Sequence, residues 1–141
     1  MNLAFLKIFF RFSVATSMLS AVADRFGWYP QEISAWGTME AFTQYSNQAL
    51  YFLPENVMWV LAWIATIIEI IGGIGLLLGY KTKFMAGLSA FILAVFAVSM
   101  SIGFGVKSIM DYSVLNAVSA ALAILLIKEK PFELDNLLAK K

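Results

Sequence analysis

Residues 59–80 run almost unbroken through Trp, Val, Leu, Ile, Ala and Gly, with one carboxylate, Glu69, near the midpoint. At ~1.5 Å per residue a helix of this length matches the roughly 30 Å hydrocarbon core of a bilayer, so the stretch reads as a membrane span. An ionisable group at bilayer depth is costly and persists where it faces protein or water, which makes Glu69 the first candidate for function.

Composition supports the same class. Hydrophobic residues make up 61% of the chain and charged residues only 13%, against roughly 25% charged in soluble domains. The 141 residues fit a single membrane domain, and a formal net charge of +1 leaves no basic surface that would suit nucleic acid. Cys and His are both absent. That removes thiol chemistry, imidazole metal sites, His-ligated haem and a Ser-His-Asp triad, so no metal site and no resident cofactor is expected.

Taken in order, residues 3–27 form a first apolar span that carries Lys7 and Arg11 in its first half and Asp24-Arg25 at its far end. A basic start and the small run Ala21-Val22-Ala23 also have the outline of a secretory signal; the expectation is an uncleaved span. Residues 28–56 hold Glu32, Glu40 and Glu55 and no Lys or Arg. Within them, residues 38–51 place Met39, Phe42, Tyr45, Ala49 and Phe52 near one helical face, predicting an amphipathic helix at the membrane surface or capping the helices. The second span is set at residues 57–80 and ends in the basic turn Gly79-Tyr80-Lys81-Thr82-Lys83. The third, residues 84–104, has a small-residue stripe through Ala86, Ala90, Ala94, Ala97 and Ser101. A short polar turn leads to a fourth span, residues 112–127, with its own stripe at Ser113, Ala117 and Ala121. The tail, residues 128–141, is charged and weakly amphipathic.

These elements predict an all-α, transmembrane four-helix bundle with a surface helix in the long loop. Orientation follows from the basic residues. Lys7, Arg11, Lys81, Lys83, Lys128, Lys130, Lys140 and Lys141 fall on one side, against Arg25 and Lys107 on the other. The positive-inside rule therefore puts both termini in the cytoplasm and the long loop outside. Trp28, Tyr29, Trp59, Trp63 and Tyr112 then lie at the outer interface, as an aromatic belt requires.

Counting depth from each span's inner end places Arg11 roughly 12 Å in and Glu69 roughly 16 Å in. We therefore expect Arg11 and Glu69 to contact each other, with both charges satisfied in one bidentate pair. Asp24 and Arg25 are expected to form a local pair at headgroup level. Glu69 has Ala65, Thr66, Gly72 and Gly73 one turn away on either side, which marks that face as the one another helix closes on. Gly75 and Gly79 add a GxxxG spacing. Two readings of the pair stay open: a device that pins helix register, or a site for protons, cations, or a quinone- or lipid-like molecule. For such a site Thr66, Gly73, Ser99, Tyr112 and Asn116 are the expected lining.

Arg11 in the first span, Glu69 followed by Gly72 and Gly73, the turn at residues 79–83 and the Asp111-Tyr112-Ser113 start of the last span resemble the DoxX family of small membrane proteins. Residues 20–27 and the loop pattern Trp36-Gly37, Phe42, Tyr45, Asn47 and Leu53-Pro54 are similar to that family as well. The resemblance implies a compact four-helix bundle in a bacterial-type cytoplasmic membrane. Some relatives are associated with quinone-linked sulfur oxidation, with complexes handling oxidative stress, or with assembly of other membrane proteins. For this chain it implies a non-catalytic accessory subunit of a larger membrane complex, or a bundle binding a quinone or lipid. The alternatives are a subunit of a quinone-linked oxidoreductase and a proton-coupled carrier using Glu69. Membrane lipids are the expected partners in every case.

Overall fold

The computed structural model describes residues 2–138; Lys140 and Lys141 of the tail, and the side chains of Leu137 and Leu138, lie outside the described residues. Among the described residues seven helices follow one another: α1 Leu3–Arg25, α2 Met39–Ala49, α3 Glu55–Leu78, α4 Thr82–Phe104, α5 Val106–Asp111, α6 Val114–Leu126 and α7 Leu134–Leu138. There is no strand among the described residues. Three of them, α1, α3 and α4, are long and apolar enough to cross a membrane, while α6 is apolar but shorter. The segment read as a polar turn before the last span holds α5, and Ser113 separates it from α6 with φ at +54°.

Helix ends follow local chemistry. Asn2 opens α1, its side-chain oxygen accepting from Ala4 N at 3.0 Å, and Thr38 opens α2 by accepting from Ala41 N at 3.1 Å. Gly79 closes α3 at φ +66°, where Tyr80 N donates to Gly75 O and a side chain would be strained. A Cβ there would also strike the Arg11 guanidinium, so the glycine is fixed twice over.

Packing closes in a ring, with α1 on α3, α3 on α4, α4 on α6 and α6 back on α1, while α2 lies across α3 and α4. The core between the long helices is Val14, Ala15, Met18, Leu76, Ala86, Ala90, Ala121 and Ile124. Small residues set the helix spacing, since in lipid the association depends on close backbone approach. Gly72 faces Ser89, Gly75 faces Met85, and Gly73 faces Leu19. The close-packing glycines of α3 are thus Gly72, Gly73 and Gly75, while Gly79 of the expected GxxxG serves as the cap. Ala86, Ala90 and Ala97 of the α4 stripe are buried; Ala94 and Ser101 are partly exposed.

Gly103 is the tightest of these contacts, because its Cα passes directly over the backbone of Ala49 at the end of α2. Gly103→Val has no room to relax there. It is expected to lower stability by about 2 kcal/mol, in the range for overpacking a close contact, measured by thermal unfolding in mild detergent.

Candidate functional site

Two buried charged clusters sit at opposite ends of the long helices. All six buried ionisable side chains among the described residues belong to them: Asp24, Arg25 and Glu69 near the long loop, Lys7, Arg11 and Glu133 near the tail.

At the loop end Arg25 is the last residue of α1, and its guanidinium reaches α3. Nη1 donates to the Glu69 carboxylate and, at 2.8 Å, to the Thr66 hydroxyl. Thr66 passes its own proton to Ala62 O at 2.8 Å, so its donor and an acceptor site are both used. The ion pair is sealed from solvent, Arg25 and Glu69 each being 2% exposed. Aromatic rings form the seal. The guanidinium carbon lies 3.6 Å from the centre of the Phe42 ring, 5.5 Å from Trp36 and 5.9 Å from Phe96. A desolvated cation over aromatic faces gains about 2 kcal/mol or more, so the cage offsets part of the cost of burying the charge. Arg25 Nε is buried with no acceptor.

Asp24 brings the cage together. Its carboxylate accepts from the Ser34 hydroxyl and from the backbone N–H of Ala35 and Trp36, at 3.2 and 2.9 Å. The loop is thereby folded back over the end of α1, and Trp36 is carried onto Arg25 and packed edge-on against Phe42.

At the tail end Arg11, 1% exposed, satisfies carbonyls rather than a carboxylate. Nε donates to Leu76 O at 2.9 Å and Nη2 to Leu77 O at 3.3 Å, adding donors to carbonyls in the last turn of α3, where the helix's own ladder runs out. Nη1 donates to Pro131 O at 2.9 Å and Phe132 O at 3.3 Å. Lys7 pairs with Glu133 at 2.7 Å and donates to Glu129 O at 2.6 Å. Asp135 completes the latch by accepting from Lys81 N and Thr82 N at 2.7 and 3.0 Å, capping α4 from a distant part of the chain.

The expected Arg11–Glu69 pair is therefore corrected: Glu69 is bound by Arg25, and Arg11 by the tail and the end of α3. Helix geometry explains why. Side chains lean toward the amino terminus of their own helix. Glu69 on α3 leans toward the loop end and Arg11 on α1 leans toward the tail end, so the two diverge, whereas Arg25 leans down α1 toward Glu69. Level inner ends of the two spans, from which both depths were counted, do not hold either, because α1 begins well beyond the turn at residues 79–83 and the Arg11 guanidinium stands level with Gly79. The expected local Asp24–Arg25 pair is corrected in the same way, each residue being committed elsewhere.

Of the expected lining residues, Thr66 is in the site. Gly73 lies against Leu19 at the α1 contact. Tyr112 is 71% exposed, Asn116 is exposed and Ser99 is partly exposed, and none of the three has a hydrogen bond to the pair. Arg25, Trp36, Phe42 and Phe96 were missed. One signal for Arg25 was present: only Arg25 and Lys107 of the sequence's basic residues were assigned to the side toward which Glu69 leans, and Lys107 has Asp111 one helical turn away.

Long apolar helices held together at both ends by buried charges define a helical integral membrane protein. The family model described as DoxX matches residues 6–102, and the chain belongs to the DoxX family. That stretch includes Arg11, Arg25 and Glu69 and stops near the end of α4, before the tail that Arg11 holds. The comparisons with curated proteins and with solved structures gave no match.

Removing one member of a buried pair strands the other charge, typically at a cost of about 3–5 kcal/mol. Arg25→Gln and Glu69→Gln are each expected to destabilise the protein to about that extent, and the double variant by clearly less than their sum. A double-mutant cycle on unfolding in mild detergent reads this coupling, and strict additivity would show that the pair contributes nothing jointly. Arg11→Gln is expected to release the tail, seen as faster amide exchange over residues 129–136 with little change at the amides of the loop end.

Proposed function

We propose that this chain is a non-catalytic accessory subunit in a bacterial-type cytoplasmic membrane. In this reading α1, α3, α4 and α6 form a membrane-spanning four-helix bundle, with both termini cytoplasmic and α2 at the outer surface over the Arg25–Glu69 pair. One observation carries it. The buried ionisable side chains among the described residues balance within the protein, three cations against three anions, and apart from Arg25 Nε their donors and acceptors are met by one another, by backbone groups and by the Thr66 and Ser34 hydroxyls. No buried acid or base is left over for proton transfer or nucleophilic chemistry, and the charges join the loop, the helices and the tail into one framework. Such a framework suits a chain that presents fixed surfaces to a larger membrane complex.

A second reading has its own support. Arg25 Nε keeps a buried N–H without an acceptor beside three aromatic rings. With the loop that carries Trp36 swung aside, a flat carbonyl compound, quinone-like, or the ester of a lipid, would accept from that N–H and lie against the rings that the opening exposes. This is compatible with a subunit of a quinone-linked oxidoreductase in which the partner holds the redox centre. Carrier function receives less support, since a coupling carboxylate must meet water and Glu69 is sealed against Arg25.

Affinity purification of the full chain in mild detergent tests the accessory role. A membrane partner recovered in fixed ratio, and lost from Arg25→Gln under conditions where that variant remains folded, is the expected result. Recovery of the bare chain, together with solute uptake abolished by Glu69→Gln, would overturn it in favour of a carrier. For the second reading, a short-chain quinone should quench Trp fluorescence saturably in the wild type and at least about tenfold more weakly in Arg25→Lys, which keeps the charge but loses the planar donor fork.

A further inference from the structure

At the tail end, on the far side of the molecule from the aromatic cage, the latch leaves a groove of about 460 Å³. Five lysines and two carboxylates line it, and the carboxylates are already engaged. Glu133 is neutralised by Lys7, and Asp135 is taken up by the backbone N–H groups of Lys81 and Thr82. Lys81, Lys83, Lys128 and Lys130 remain, all exposed and none paired with a carboxylate among the described residues. Four exposed lysines from two distant parts of the chain thus line one concavity. Left without an anion, they repel one another across it.

Two further features show that the groove is built rather than incidental. Thr82, which lines it, is 1% exposed, and its hydroxyl has no hydrogen-bond partner. A buried donor left open in this way costs stability unless something accepts from it. The backbone is also held in an unfavourable conformation here. Three non-glycine residues among those described have positive φ, and two of them flank this groove: Lys81 at +43° and Phe132 at +48°. Strain of this kind persists where the surrounding structure enforces it, and it concentrates at binding sites. At Lys81 it turns the chain so that Lys81 and Lys83 bracket Thr82. At Phe132 it directs two carbonyls to Arg11 while the ring itself is 89% exposed, and Phe84 on the groove wall is exposed as well.

The geometry points to a phosphoryl-binding site in this groove, filled by the headgroup of an anionic phospholipid. The lysines supply the counter-charge, and Thr82 Oγ1, unpaired just beneath the groove, becomes a donor to a phosphoryl oxygen once a turn about its Cα–Cβ bond brings it to the surface. A lipid is favoured over a soluble anion because the groove lies at the ends of the apolar helices α1, α3 and α4, and Phe84 and Phe132 offer apolar contact to the first part of the acyl chains. A headgroup bound between Lys81/Lys83 and Lys128/Lys130 would also bridge the tail to the turn, reinforcing the latch that Arg11 and Lys7 begin.

The test uses the full chain in phosphatidylcholine nanodiscs with increasing phosphatidylglycerol, read by melting temperature, with retained lipids counted by native mass spectrometry. Each basic residue near an anionic surface contributes about a factor of five. Lys83→Gln should therefore raise the half-saturating phosphatidylglycerol fraction about fivefold, and Lys83→Gln/Lys128→Gln more than about tenfold, with melting in pure phosphatidylcholine unchanged or slightly raised as the repulsion between lysines is relieved. Thr82→Val, which keeps every charge, should also weaken the response. Lys107→Gln, at the opposite end of the molecule, should leave it intact. Stabilisation by inorganic phosphate in pure phosphatidylcholine, equal to that by the lipid, would keep the phosphoryl site but overturn the lipid as its source. Equal responses in wild type, Lys83→Gln/Lys128→Gln and Thr82→Val, or an equal loss in Lys107→Gln, would overturn the site altogether.

Discussion

Burial of charge is the constraint on which this structure depends. An apolar helix assembly has little water inside it to solvate an ammonium or a carboxylate, so each buried ion must find its complement among neighbouring helices or backbone groups. Six such residues divide into two clusters, and each cluster ties the end of one long helix to a segment far away in sequence. Arg25 and Asp24 fasten the long loop to α1 and α3; Arg11 and Lys7 fasten the tail to α1 and the end of α3. Between them the interior is alanine, glycine, valine, leucine, isoleucine and methionine, packed by shape.

The two arginines of α1 solve the same problem differently. Arg25 meets a carboxylate and lies over aromatic faces, using delocalised charge and the flat guanidinium surface together. Arg11 meets no carboxylate directly and spreads its donors over four carbonyls from two segments, using the fork geometry instead. Lysine, with a compact charge and no planar fork, would serve neither place well. The helix that carries both has one end holding an aromatic cage and the other holding a latch.

Much of the fold was legible in the sequence. The positions of the long helices, the loop helix from Thr38 onward and the glycine that ends α3 follow from hydropathy, capping chemistry and positive φ, which are local properties. Glu69 was also found correctly as a buried, inward-facing carboxylate, from the small residues around it. Its partner was not, because depth was measured from helix ends assumed to be level, and because an arginine beside an aspartate at a span's end resembles a headgroup pair. The direction in which side chains lean along antiparallel helices, applied to Arg11, Arg25 and Glu69 together, distinguishes the two pairings. Nothing local to residues 129–135 marked them as the partners of α1.

The sequence by itself determined that this chain is helical, membrane-embedded and of the DoxX family, and that Glu69 and the basic residues of the first helix need compensation. The helical and membrane readings rest on hydropathy, periodicity and composition, which each segment carries within itself, and the family rests on the ordered motifs and the match over residues 6–102. Only the tertiary structure decided which charge answers which, that Trp36, Phe42 and Phe96 close over Arg25, and that the tail returns to place four lysines around one groove. These depend on helix offset and side-chain direction across contacts from the 11 residues between Arg25 and Trp36 to the 122 between Lys7 and Glu129. Long-range electrostatic pairing is fixed by three-dimensional registration, and no single stretch of sequence contains that information.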